Sequence, residues 1–187
     1  MGITVSFISS NMVSEVQTLA DLTVGKGLVT QNEIISAVDN NLSYVLIMND
    51  DKTVIGFSLN EIINPKILKS LFCMCDETYG DISISDDCTA NIVNLGALGI
   101  MPQYQQRGYG RLLFQTIVNG FQQQYDFISA LAWKKGEIIP MRKLLEQAGF
   151  IYLGLMKSPY RDVQGIYCDY CKSDVCLCDS CLFTWAR

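Results

Sequence analysis

The stretch MPQYQQRGYGRLLF, residues Met101 to Phe114, decides how the rest of the chain reads. Gln105, Gly108 and Gly110 form a Q-x-x-G-x-G run. The segment before it, Asn91 to Ile100, is nearly continuous in apolar residues, as a central strand is. The segment after it carries Leu112, Leu113, Ile117, Val118 and Phe121 at helical spacing. A strand that ends in a glycine loop and opens a helix makes a cradle for phosphate. The first N–H groups of a helix have no intrahelical partner, and the helix dipole adds partial positive charge at that end. Glycine lets the backbone approach an anion with no Cβ in the way. Arg107 and Arg111 add fixed charge beside it. The plainer alternative is an ordinary strand-to-helix turn.

Composition narrows the function classes. A chain of 187 residues suits one domain and can bury a full core without staples. No apolar run approaches a membrane span, and no basic region followed by an apolar core opens the chain. A cytoplasmic protein that binds no membrane is the expectation. The net charge of −5 argues against a nucleic-acid partner, which calls for a basic face. With no histidine anywhere, Ser-His and Cys-His catalytic pairs and His-ligated metals are excluded.

Of eight cysteines, Cys168, Cys171, Cys176, Cys178 and Cys181 crowd the C-terminal end. Without an export signal such a cluster reads as metal ligands rather than disulfides. Cys168-x-x-Cys171 has the spacing of a metal knuckle, and four thiolates suit tetrahedral zinc. Two sets are available: Cys168, Cys171, Cys176 and Cys178, or Cys168, Cys171, Cys178 and Cys181. The first is preferred, because Cys181-Leu-Phe-Thr-Trp reads as a strand. All-cysteine ligation points to a structural ion, since catalytic sites keep a position open.

The remaining pattern is strand, helix, helix, strand, strand up to Leu59. Thr30-Gln-Asn-Glu33 is a capping box, with Val29 and Ile34 placed as its hydrophobic staple. From Ile62 to Ala90 runs a long acidic connection, either a functional loop or a solvated insertion, with Ile67 to Phe72 helix-compatible. Cys73, Cys75 and Cys88 within it make a poor metal set and read as buried thiols. After the loop helix come a strand over Phe127 to Ala132 and a helix with Met141, Leu144, Leu145 and Ala148 on one face. Pro140 suits its first turn, and Gly149-Phe150 its end. Strands over Ile151 to Met156 and Cys178 to Trp185 form a final hairpin, with residues 158–181 a Cys-rich insertion between them.

Taken whole, Leu98-Gly-Ile-Met-Pro-Gln-Tyr-Gln-Gln-Arg-Gly-Tyr-Gly-Arg-Leu-Leu resembles the acetyl-CoA loop of the GCN5-related N-acetyltransferases, the GNAT superfamily. The element order is similar over the whole chain. The resemblance implies one α/β (α+β) domain of residues 1–187: a mixed, mainly antiparallel central sheet flanked by helices, with the zinc loop near its end. It implies that acetyl-CoA is the cosubstrate and that Leu98, Gly99 and Ile100 offer backbone groups to its pantetheine arm. By the same likeness Gln105, Gln106, Arg107, Gly108 and Gly110 wrap the pyrophosphate, with Tyr109 and Arg111 at the helix start. The implied reaction is direct acetyl transfer to a primary amine, on a small molecule or on a protein lysine or N-terminus. The acidic connection suggests a cationic acceptor.

The chain also departs from the family pattern. A tyrosine is common four residues before the Gly-Phe pair, and Leu145 stands there. The frequent asparagine near the start of that helix is Ile138, and Asn91 to Ile100 holds no carboxylate. Glu61 as base and Tyr160 as acid are the remaining candidates. Two other readings follow from these departures: a non-catalytic acyl-CoA sensor, and a zinc-knuckle module that holds a protein.

Overall fold

A computed structural model describes residues 2–48, 52–79 and 89–187. Asn49, Asp50 and Asp51, of the Asn49-Asp-Asp-Lys52 turn that the sequence places between the fourth and fifth elements, and Asp81, Asp86, Asp87 and Cys88 of the acidic connection lie outside the described residues. In chain order the strands are β1 (Ile3–Phe7), β2 (Tyr44–Met48), β3 (Val54–Ile63), β4 (Glu77–Thr78), β5 (Ile92–Ile100), β6 (Phe127–Lys134), β7 (Ile151–Met156) and β8 (Asp179–Ala186). The helices are α1 (Val13–Thr23), α2 (Gln31–Asn40), α3 (Pro65–Cys73), α4 (Tyr109–Gln124) and α5 (Arg142–Gln147). One eight-stranded sheet runs in the order β1-β2-β3-β5-β6-β8-β7-β4. The pairs β1–β2, β2–β3, β4–β7, β6–β8 and β7–β8 are antiparallel. This is the mixed, mainly antiparallel α/β architecture expected from the sequence.

The residues pack as two compact units. One comprises Met1–Glu61, Leu95–Asn119 and Gly165–Tyr167. Its core gathers Val16, Leu19 and Ala20 of α1, Ile34 and Ala37 of α2, and Val45, Val54 and Phe57 of the strands, with Ala97 and Met101 against it. The helical spacing of those residues is what turns each helix's apolar stripe to the sheet. The capping box forms as expected. The Glu33 amide donates to Thr30 Oγ1 at 3.3 Å, and the Thr30 amide donates to the Glu33 carboxylate at 2.6 Å. The staple residues Val29 and Ile34 are both buried.

The other unit comprises Ile62–Asn94, Gly120–Gln164 and Cys168–Arg187. Ile63, Leu68 and Ile92 form one of its clusters, and Leu153, Met156 and Leu182 another. Here the described part of the long connection forms a helix and a short strand. Asn64 caps α3 by accepting from the Ile67 amide at 3.0 Å, and Pro65 opens the helix. β4 then pairs with β7. The expectation that Cys73 and Cys75 are buried is not met: Cys73, in the last turn of α3, is exposed and Cys75 is half-buried.

The helix expected around Met141 is shorter than its apolar stripe. Reciprocal hydrogen bonds between Lys135 and Ile138, at 2.8 and 3.1 Å, close a tight turn first, so α5 begins only at Arg142. Its end is a full Schellman cap. Gly149, at φ 85°, donates to the Glu146 carbonyl, and Phe150 donates to the Leu145 carbonyl at 3.0 Å.

Candidate functional site

β5 stands between β3 and β6 in the sheet order, yet its middle is open. Ile92, Val93, Gly99 and Ile100 are buried, whereas Asn94, Leu95, Ala97 and Leu98 are half-buried and Gly96 is exposed. An interior strand in a fully packed sheet has no such uncovered stretch. Gly99 is needed for packing: a methyl there would run into the Thr23 hydroxyl and the Phe57 ring.

Past Ile100 the chain reverses sharply. The Met101 amide donates to the Ile55 carbonyl at 2.8 Å, a single 3-10 turn covers Pro102–Tyr104, and Gln105 Nε2 donates back to the Ile100 carbonyl at 2.8 Å. Gln105 therefore holds the loop to the end of the strand that precedes it. Gln106 at φ 59° and Gly108 at φ 83° then take left-handed conformations, and α4 starts at Tyr109. At Gly108 nothing lies within 4 Å of the place a Cβ would occupy, and at Gly110 only Ile100 Cγ1 does, at 3.5 Å. The protein needs neither glycine for close packing, so the space beside both is open. Arg107 lies with its guanidinium 5.7 Å from the Tyr104 ring centroid, and Tyr104 lies 6.5 Å from the Tyr109 ring. Arg111 is exposed in the first turn.

Residues Gln105 to Arg111 thus come together around one helix N-terminus, with Leu98, Gly99 and Ile100 on the strand that leads into it. Leu113, Ile117, Val118 and Phe121 form the buried face of α4, but Leu112 is 43% exposed.

The two catalytic candidates are placed separately. Glu61 is an exposed residue of β3. Tyr160 lies in the turns after β7, half-buried, with its ring 6.4 Å from Trp133 in an edge-on contact. Burial pushes its phenol above the usual tyrosine value. Leu145 is a core residue 1% exposed, and Ile138 is exposed. Trp133, in β6, is not among the residues the sequence singles out. Its spacing from Tyr160 across a turn-rich segment carried no signal.

The thiols converge. One Sγ each from Cys168, Cys171, Cys176 and Cys178 lies within 4.8 Å of every other. Cys168 and Cys178 are 3.8 Å apart and Cys171 and Cys178 3.6 Å. Tetrahedral zinc with Zn–S of about 2.3 Å sets sulfurs about 3.8 Å apart, so the cluster fits such an ion with small closures. The Cys171 amide donates to Cys168 Sγ and the Leu177 amide to Cys171 Sγ, both at 3.4 Å. Burial raises the thiols of Cys176 and Cys178, a cost to thiolate formation that a bound dication would offset. Cys181 is buried within β8, paired between Ala132 and Leu155, and stands outside this group.

No helix among the described residues is long and apolar enough to cross a membrane. No protein-family profile matches the chain, and no curated protein is similar to it in sequence. Many solved structures are similar in fold. Arabidopsis thaliana NAA60 in complex with acetyl-CoA aligns over 99% of this chain and 98% of its own, at TM-score 0.72 and 14% identity. Arylalkylamine N-acetyltransferase 2 from Aedes aegypti aligns over 100% and 99%, at TM-score 0.66 and 14% identity. An acetyltransferase of the GNAT family from Streptococcus agalactiae aligns over 100% and 96%, at TM-score 0.65 and 13% identity. Strand order, the glycine turn into α4 and these alignments agree that the chain has the GNAT acetyltransferase fold.

Proposed function

We propose that the chain is an acetyl-CoA-dependent N-acetyltransferase, one domain of residues 1–187 working in the cytoplasm. The observation that carries the reading is the turn from β5 into α4. Backbone amides at a helix start stand there beside two glycines whose missing side chains leave open space. The likeness in fold to acetyltransferases, one of them holding acetyl-CoA, supports it. Gln105 to Gly110 would hold the pyrophosphate with their amides, with Arg107, Tyr109 and Arg111 beside it, and Leu98 to Ile100 would present backbone groups to the pantetheine.

Bound acetyl-CoA supplies an acetyl thioester, whose carbonyl carbon forms a C–N bond to the amine as the C–S bond breaks. The chain's own residues must then move two protons. A lysine-type amine has pKa of about 10.4 and attacks only after losing one, so a base is needed. Glu61 is the proposed base, and Tyr160, whose phenol burial pushes above the usual tyrosine value, the proposed acid toward the leaving thiolate. A backbone N–H of β5 would stabilise the charge that develops on the carbonyl oxygen. The acceptor is proposed to be a cationic amine. Exposed Asp76 and Glu77 and the net charge of −5 support this, although Asp76 also accepts from the Lys157 amide at 2.7 Å. Buried Leu145 in the usual tyrosine slot favours one competing reading, an acyl-CoA sensor without turnover. Release of CoA with a panel of amines separates the two.

The same reading includes a structural zinc ion on Cys168, Cys171, Cys176 and Cys178. Zinc binding by such clusters supplies on the order of 10 kcal/mol of apparent folding energy in peptides, ample to order one loop.

Gly110→Ala separates ligand from fold. The site tolerates the methyl, and alanine in a helix is favoured over glycine by about 0.5–1 kcal/mol, so thermal stability should hold or rise. Acetyl-CoA affinity by calorimetry should nonetheless fall at least tenfold, and unchanged affinity would refute the loop assignment. For proton transfer, Tyr160→Phe should cost about 100-fold or more in kcat. Because burial raises this phenol, the wild-type rate should fall only above the ordinary tyrosine pH, and the variant should lack that limb. Glu61→Gln should likewise cost about 100-fold or more in kcat. Full rates at every pH in both variants would exclude these two groups. Elemental analysis should find one zinc per chain, and Cys171→Ser should lower the melting temperature by roughly 5 °C or more with acetyl-CoA affinity near normal. A metal-free native protein would contradict the zinc reading.

A further inference from the structure

Two glycines lie in the short connection from α1 to α2, and both are in left-handed or extended-positive conformations: Gly25 at φ 139° and Gly27 at φ 78°. Few contacts of its own hold this connection. The Gly25 amide donates to the Ala20 carbonyl at 3.3 Å, the Leu28 amide to the Gly25 carbonyl at 3.2 Å, and the Gly27 amide to Asp21 Oδ1 at 3.2 Å. Its other partner comes from far along the chain. Gly165–Tyr167 lies against it as an isolated antiparallel bridge, with the Tyr167 amide donating to the Lys26 carbonyl at 2.9 Å. The approach is backbone to backbone. A methyl on Gly27 would run into the Gly165 carbonyl, and one on Gly25 would stand 3.2 Å from the Tyr167 carbonyl oxygen.

The bridge has a short footing. Residues 161–165 and Tyr167 are exposed, and Ile166 alone among them is buried. The next residue is Cys168, whose sulfur joins the thiol cluster and whose amide donates to the Ser173 carbonyl at 2.9 Å. Beyond it the backbone is again exposed turn, apart from the cysteines. Ordering such a stretch costs about 1–2 kcal/mol of backbone entropy per residue, which one buried isoleucine does not offset.

We propose that zinc on Cys168, Cys171, Cys176 and Cys178 is the anchor of the Lys26–Tyr167 bridge, so that one metal ion orders both the Cys-rich loop and the α1–α2 connection. The inference rests on the zinc reading, and peptide continuity from Tyr167 to Cys168 carries the coupling. The glycine turn at Gln105 to Gly110 is not part of this chain of contacts and keeps its structure when the metal leaves.

Hydrogen exchange with mass-spectrometric readout tests this on the full, reduced chain, before and after zinc is withdrawn with 1,10-phenanthroline. Peptides over residues 25–28 and over 167–178 should exchange at least tenfold faster together, peptides over 105–116 should change less than twofold, and added zinc should restore both. Acceleration over 167–178 with 25–28 unchanged would overturn the coupling and leave the zinc reading standing. Protein that carries no zinc as isolated would overturn both. Gly27→Ala gives a second test that spares the ligands. It should keep one zinc per chain while 25–28 and the Tyr167 amide exchange faster, and unchanged exchange in a folded variant would refute the bridge.

Discussion

A strand buried at its end has to become a helix within a few residues of Ile100, and only a left-handed passage at Gln106 and Gly108 achieves it. A left-handed residue with a side chain costs roughly 1–2 kcal/mol, so this chain accepts strain at Gln106 and places glycine at Gly108. The turn is held by Gln105, which returns its side chain to the Ile100 carbonyl. The proposed chemistry depends on this constraint. The helix start, its free amides and the space beside two glycines exist only because the turn closes where it does.

Elsewhere the chain is stabilised by ordinary means. Apolar stripes on α1 and α2 cover β2 and β3 in one unit, and Leu68, Leu153 and Leu182 organise the clusters of the other. The Cys-rich loop differs, since it has almost no apolar residues to bury. Four sulfurs within 4.8 Å stand where a core would be.

Sequence signals that are local and stereochemical survived into the structure. Thr30 with Glu33 and Gly149 with Phe150 each rest on one turn, and each is found, while the sulfurs of Cys168, Cys171, Cys176 and Cys178 lie together. Signals that depend on competition between neighbours did not. The apolar stripe through Met141 suggested a longer helix than α5, which begins at Arg142 after the Arg142 amide turns back to the Ile139 carbonyl. In the long connection the helix read over Ile67 to Phe72 is present as α3, but its Asn64-Pro65 start was passed over. The pairing of Lys26 with Tyr167 joins residues too distant in sequence for any periodicity to show. Glu61 and Tyr160 stay proposals for a related reason: a catalytic role depends on position beside a substrate, which neither spacing nor burial supplies.

The central claim is that the turn from β5 into α4 receives acetyl-CoA. Amide chemical-shift mapping of the isotopically labelled chain, titrated with acetyl-CoA, tests it most directly. The account predicts saturable shifts concentrated at Leu98 to Ile100 and Gln105 to Arg111. No binding, or shifts that saturate elsewhere while these amides stay still, would contradict it.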